Sequence, residues 1–106
     1  MGIDQHLTGE IVECILRAAA PDRIILFGSA ATGEMNRDSD IDLLVLERAP
    51  RDTREESIRI WDALRGLPYP FDVIVMSTQR FEETKDLIGG IAYPANKYGR
   101  VIYAPA

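Results

Sequence analysis

Two apolar runs separated by a short polar segment constrain the fold of this chain more than any other feature. The first, residues 24–27, has the length of a β-strand and stops abruptly at a Gly-Ser dipeptide, and the second covers residues 41–46. Asp40 and Asp42 lie at the start of the second run. Because a strand side chain returns to the same face every second residue, both aspartates are expected to point the same way while the apolar residues between them face a core. The sequence therefore predicts two carboxylates aimed at one point.

A third acidic residue, Asp72, opens another apolar run over residues 71–76. Carboxylates in close proximity raise each other's pKa unless a cation lies between them, and their hard oxygens suit Mg²⁺ or Mn²⁺. If the three strands share one sheet, Asp40, Asp42 and Asp72 can hold two divalent ions about 3.5–4 Å apart, one for an attacking hydroxyl and one for nucleotide phosphates. We predict these three aspartates as the catalytic and metal-binding residues. The alternative for Asp72 is a carboxylate at a strand edge in solvent.

The segment between the two strands offers groups for phosphate binding. Gly28 lets the backbone approach a ligand closely, and the Ser29 hydroxyl with neighbouring amides can bond triphosphate oxygens. An ordinary strand-to-helix turn is the alternative, since Gly and Ser favour one anyway. Arg37 is either a solvated loop charge or a triphosphate contact, and Ser39 is placed to brace the aspartates. In the context of the aspartates, the predicted nucleotide-binding residues are Gly28, Ser29, Arg37 and Ser39.

The order and spacing of these residues resemble a known family. Gly28-Ser29, ten intervening residues and Asp40-Ile41-Asp42 match the GS-x10-DxD pattern of the polymerase-beta-like nucleotidyltransferase superfamily. Residues 8–103 look most similar to its minimal nucleotidyltransferases, the MNT group often partnered with HEPN-domain proteins in toxin–antitoxin pairs. Many relatives carry Arg where this chain has Thr32, and Arg37 is the nearest substitute.

The resemblance implies a fold and an activity. The fold is α/β, a polymerase-beta-like nucleotidyltransferase fold with a mixed β-sheet flanked by helices, and alternating strands and helices favour the same class. The activity is metal-dependent transfer of a nucleotide, AMP from ATP or another NTP, to a hydroxyl on a cognate HEPN toxin, so that the protein acts as an antitoxin. Two rivals are a nucleotidyltransferase acting on a small molecule and a non-catalytic antitoxin that binds its partner.

Length and composition predict a single soluble domain over residues 1–106. With 46% apolar and 27% charged residues the chain has the composition of an ordinary globular protein, and no run of residues suits a bilayer. The single cysteine, Cys14, excludes an intramolecular disulfide, and the first residues lack the pattern of a secretion signal. These features predict a cytoplasmic protein without a membrane partner.

The charge of the chain bears on its partners. Seventeen acidic and twelve basic residues give a net charge of −5, and the basic residues form no run. Proteins that follow a nucleic-acid backbone usually carry a basic patch, so no direct nucleic-acid binding is expected. The sequence leaves the oligomeric state open, and a homo-oligomer is compatible with it.

Periodicity predicts the remaining elements. A first helix is expected over residues 8–19 with Thr8 as its N-cap, and a later helix is expected to start at Asp52 or Thr53, where Thr53 and Glu56 have capping-box spacing. Trp61 lies on the apolar stripe of that helix and is expected in the core. The other predicted elements are strands over 23–27, 41–47, 71–76 and 101–103, a helical turn over 30–33, a helix over 79–91 capped by Ser77-Thr78 and a short turn over 94–98.

Overall fold

The computed structural model describes residues 4–33 and 39–105, which form a four-stranded sheet with helices on both faces. The strands are β1 (Arg23–Phe27), β2 (Ile41–Glu47), β3 (Phe71–Ser77) and β4 (Arg100–Tyr103). The helices are α1 (Gln5–Ala18), α2 (Ser29–Thr32), α3 (Thr53–Ala63), α4 (Thr78–Thr84) and α5 (Ala92–Tyr98). No helix in the described ranges is long and apolar enough to cross a membrane.

The sheet is mixed, with strand order β3-β2-β1-β4. β2 and β3 are parallel, and β1 is antiparallel to both β2 and β4. A parallel pair needs a crossover connection, and α3 supplies it between β2 and β3. The predicted α/β class with a mixed sheet flanked by helices is confirmed.

Alternate side chains of the strands pack into two hydrophobic cores, one on each face of the sheet. On the first face α1 and α3 bury Ile11, Ile15, Ile60 and Leu64 against the sheet. On the second face α4 and α5 bury Phe81, Ala92 and Ala95. β2 serves both faces, which is why its residues are nearly all apolar: Ile41, Leu43 and Val45 lie in the first core, and Leu44 and Leu46 in the second.

The strands agree with the sequence prediction more closely than the helix ends do. β1 and β2 have the predicted bounds, and β3 is one residue longer than predicted. The predicted N-cap Thr8 is wrong: α1 begins at Gln5, and the Asp4 carboxylate accepts from the backbone N–H of Leu7 at 2.8 Å. The Thr8 hydroxyl instead donates to the Gln5 carbonyl at 3.0 Å, within the first turn. The pattern missed this because the first turn of α1 carries few apolar residues.

The caps of the later helices show one confirmed and one wrong prediction. Ser77 caps α4 as predicted, accepting from the N–H of Arg80. Asp52 caps α3 and accepts from two backbone amides, so the predicted capping box is absent because Thr53 lies inside the helix. Glu56 is instead bound by the Arg59 guanidinium at 2.6 Å. The predicted helix over 79–91 is also shorter, since α4 ends at Thr84 and α5 begins only at Ala92.

The expected core position of Trp61 is wrong. Trp61 is 48% exposed and its neighbour on the predicted stripe, Ile58, is 57% exposed. The buried side instead runs through Ile60 of α3 and Leu64, the C-cap residue, which lie one helical turn apart. Both faces of α3 carry apolar residues, so periodicity alone could not decide which face the sheet covers.

Candidate functional site

Asp42 and Asp72 lie side by side at one end of the sheet. They are register partners in the parallel pair of β2 and β3, so their Cα atoms occupy neighbouring strands, which are about 4.8 Å apart. Each lies two residues before a side chain of the second core, Asp42 before Leu44 and Asp72 before Ile74, so both point to the same face of the sheet. The fold thus brings together two of the three predicted carboxylates from segments thirty residues apart.

Asp40 immediately precedes β2 and adds its charge to the same end. Burial is the largest cause of a raised pKa at Asp42, followed by the negative charges of Asp72 and then Asp40. Asp42 is half-buried, whereas Asp40 and Asp72 are exposed. The three carboxylates are therefore close enough to influence one another electrostatically, and the middle one resists ionisation.

Gly28 packs directly on the Asp42 carboxylate. A Cβ atom at position 28 would lie 3.3 Å from Cγ of Asp42 and closer still to its Oδ2. Gly28 also has φ 69° and ψ −152°, a conformation open in practice to glycine alone. The Gly-Ser turn and the aspartate pair, which are separate features in the sequence, are thus in contact. Their spacing was visible in the sequence, but this contact was not.

The remaining predicted nucleotide-binding residues lie on either side of this contact. Ser29 is the first residue of α2, and the carbonyl of Gly28 accepts from the N–H of Ala31 at 3.1 Å. Ser39 is half-buried beside Asp40 in the sequence. Arg37, predicted as a triphosphate contact, lies outside the described residues.

Thr32, which stands where many relatives were expected to have Arg, has a local role in α2. Its hydroxyl donates to the Ser29 carbonyl at 3.4 Å, one turn earlier in the same short helix. A neutral side chain used in this way does not supply the positive charge of an arginine.

The donor atoms at this end of the sheet fit a divalent cation in kind and charge. All three predicted ligands are carboxylates, and the pKa of Asp42 is raised by two like charges that a cation would offset. Over residues 4–33 and 39–105, no three Asp, Glu, His or Cys side chains are grouped closely enough to form a metal site as they stand. Binding of Mg²⁺ or Mn²⁺ would therefore have to draw the carboxylates together.

A comparison of the sequence with known families matches residues 9–94 to the nucleotidyltransferase domain. The chain belongs to the nucleotidyltransferase domain family. The matched residues of this nucleotidyltransferase contain all three aspartates and the Gly-Ser turn, so the site described above lies wholly inside the family domain. No curated protein matches the sequence significantly.

Solved structures similar to this nucleotidyltransferase include several toxin–antitoxin complexes. A toxin–antitoxin with AMP-PNP is 20% identical with a TM-score of 0.65, covering 92% of this chain and 73% of the other. A mutant of the MntA-HpeT toxin–antitoxin is 16% identical with a TM-score of 0.69 and the same coverage. A tri-AMPylated Shewanella oneidensis HEPN toxin in complex with an MNT antitoxin is 18% identical with a TM-score of 0.59, covering 96% of this chain and 74% of the other. At these identities the likeness establishes the shared fold.

Proposed function

We propose that this nucleotidyltransferase transfers AMP from ATP to a hydroxyl of a HEPN-domain toxin and so acts as its antitoxin in the cytoplasm. The observation that carries the proposal is the pair of register-matched carboxylates, Asp42 and Asp72, beside the Gly28 turn. The similar structures support the substrates, since one contains AMP-PNP and another an AMPylated HEPN toxin. The MntA-HpeT mutant carries two aspartate-to-glutamate changes two positions apart, the spacing of Asp40 and Asp42 here.

Each part of the site has a task in this reaction. The backbone at Gly28 and the hydroxyl of Ser29 hold the triphosphate of ATP, with its α-phosphorus towards the carboxylates. Asp40 and Asp42 lie on the side of the site that binds ATP. Asp72, on the neighbouring strand, faces the acceptor hydroxyl. The acceptor oxygen forms a bond to the α-phosphorus while the bond from that phosphorus to the oxygen bridging to the β-phosphate breaks. Pyrophosphate leaves with that oxygen, and the proton of the acceptor hydroxyl passes to water. The main contribution of the chain is to hold the reacting groups in fixed positions.

The same three carboxylates would hold two Mg²⁺ ions, or Mn²⁺ in their place. When bound, these ions neutralise phosphate charge and lower the pKa of the acceptor hydroxyl. Asp42 is the carboxylate best placed to benefit, because burial and the charges of both neighbours oppose its ionisation when it is alone.

Transfer of label from ATP to protein tests the proposal. The chain is incubated with Mg²⁺, ATP labelled at the α-phosphate and the HEPN-domain protein encoded beside it, and label on the HEPN protein is measured. We expect labelling by the native chain and a loss of about 100-fold or more in Asp42→Asn, because a neutral amide removes charge from the centre of the site. Asp86→Asn, at an exposed aspartate between α4 and α5, is the matched control and should label normally.

Growth protection by the same variants separates catalysis from simple binding. If Asp42→Asn loses both labelling and protection against the toxin, catalysis carries the antitoxin effect. Full protection by Asp42→Asn, with no label transferred by the native chain, would contradict the proposal and favour a non-catalytic binding subunit.

A further inference from the structure

β3 is an edge strand whose outer side is open. It ends the strand order, and over the described residues no strand pairs with its outer side. Its sequence, Phe71–Ser77, holds five apolar residues and a single charge, Asp72, with no Lys, Pro or Gly to block pairing. Proteins usually shorten, charge or cover such an edge, because an apolar strand with free backbone groups is a template for another strand. The other edge, β4, is only four residues long and starts with a charge.

Two concavities lie one after the other along this edge, and residues of α3 contribute to the lining of both. We call them together the β3 groove. At the end near Phe71–Val73 it is lined by Ser57, Ile58 and Trp61. At the end near Val75–Ser77 it is lined by Arg48, Ala49, Pro50, Thr53 and Arg80. The groove explains why Trp61 and Ile58 are exposed, since they face its open side rather than the core.

The two ends of the β3 groove carry opposite charges. The charged lining residue of the first end is Asp72, and those of the second end are Arg48 and Arg80. Neither arginine makes an ion pair with another described residue. A surface whose ends differ in sign is complementary to itself when turned by 180°, which is the requirement for an isologous twofold contact.

We propose that two copies of this chain associate through the β3 groove, their β3 strands pairing antiparallel about Ile74 to make one continuous sheet. This register sets Asp72 opposite Met76 of the second copy and Phe71 opposite its Ser77. Asp72 of each copy therefore meets the basic end of the other rather than a second Asp72. Trp61 and Ile58 pack against the start of the second copy's α3.

This pairing changes the charge at the end of the sheet that holds the aspartates. Arg80 of the second copy approaches Asp72 from across the new strand pair and brings positive charge to that end. The contact does not depend on the transferase proposal, because it is built from the strand edge, the groove and its charges.

Sedimentation equilibrium of the purified chain tests this association. We expect a native chain in concentration-dependent equilibrium between monomer and twice that mass. Trp61→Ala removes the largest apolar group of the groove, and Arg80→Glu reverses the charge that meets Asp72, so each should weaken the dimer about tenfold or more. Both side chains are exposed, and circular dichroism of each variant verifies that it is folded.

Two matched controls separate the groove from general effects. Ile88→Ala truncates an apolar residue that is 86% exposed between α4 and α5. Arg17→Glu makes the same change of net charge as Arg80→Glu at an exposed site in the last turn of α1. Both should dimerise as the native chain does. A native chain that stays monomeric, an open-ended assembly, or folded Trp61→Ala and Arg80→Glu variants that dimerise normally would overturn the proposal.

Discussion

At the scale of single residues, Gly28 links the two halves of the site. Its backbone conformation suits glycine alone, and its missing side chain leaves the space that the Asp42 carboxylate fills. Position 28 therefore affects Asp42 through contact, in addition to any contact it makes with phosphate. Gly33 offers a comparison, because it also has a positive φ, of 81°, but among the described residues nothing beyond its chain neighbours lies within 4 Å of where a Cβ would stand.

Gly28→Ala should thus cost more stability than Gly33→Ala, and it alone should lower activity. Gly33→Ala places a side chain on a left-handed backbone and is expected to cost roughly 1 kcal/mol of unfolding free energy. Gly28→Ala is expected to cost more, because its backbone conformation is open to glycine alone and the new Cβ would overlap the Asp42 carboxylate. Only Gly28→Ala also displaces Asp42, so we expect it to lower AMP transfer about tenfold or more. Denaturant unfolding and the labelled-ATP assay measure the two quantities. Equal transfer by both variants would show that the contact with Asp42 is not required.

At the scale of elements, α3 depends on an N-cap for which the sequence offered two candidates, Asp52 and Thr53. The Asp52 carboxylate accepts from the N–H groups of Arg54 and Glu55 at 3.0 and 3.1 Å, while Thr53 is already inside the helix. Asp52→Ala should therefore lower the unfolding free energy by about 1 kcal/mol, and Thr53→Ala should change it much less. Thermal or denaturant unfolding of both variants checks this. A larger loss of unfolding free energy in Thr53→Ala than in Asp52→Ala would show that Thr53 is the cap.

The elements also show why strands were easier to predict than helix faces. β1 and β2 are apolar on both faces and bounded by polar or turn residues, so their ends were visible in the sequence. α3 carries apolar side chains both towards the sheet and towards the β3 groove, and only packing decides that Ile60 is buried and Trp61 is not. The sequence pattern did not predict Asp4 as the cap of α1, because the first turn of that helix has little apolar periodicity.

At the scale of the whole molecule, the site depends on how distant segments pair. That Asp40 and Asp42 lie together follows from the sequence, because only Ile41 separates them at the start of β2. The position of Asp72 beside them does not, since it requires β3 to lie next to β2, parallel and in one particular register. A shift of one residue would turn Asp72 to the other face of the sheet. The resemblance to a family, in contrast, predicted that Asp72 would join Asp40 and Asp42.

Among the described carboxylates, Glu47 is the one that most strongly ties the stability of the fold to pH. It ends β2 at 8% exposure, and its pKa is raised from 4.5 to about 7, mainly by burial and then by the charge of Glu56 and a hydrogen bond with it. The Arg59 guanidinium lowers this pKa and Asp22 raises it, both by smaller amounts. Glu47 lies at the opposite end of β2 from Asp42, so its titration affects folding rather than the candidate site.

The direction of the pH dependence follows from which state holds the proton. Below about pH 4.5 Glu47 is protonated in both the folded and the unfolded chain and adds no pH dependence. Between pH 4.5 and about 7 the folded chain keeps a proton that the unfolded chain has released, so its contribution to stability falls as pH rises. Above that range both states are ionised, and the folded chain bears the full cost of the buried charge.

Glu47→Gln should remove this cost. The amide keeps the shape of the side chain and can still donate to Glu56, so at pH 8 we expect the variant to be more stable than the native chain, on the order of 1–3 kcal/mol. At pH 4 the difference should largely vanish. Unfolding by urea across this pH range measures both values, with Glu55→Gln as the control, because Glu55 is an exposed carboxylate on α3 beside Glu56. An advantage of Glu47→Gln that stays constant from pH 4 to pH 8 would mean that the amide improves packing and that the proton on Glu47 plays no part.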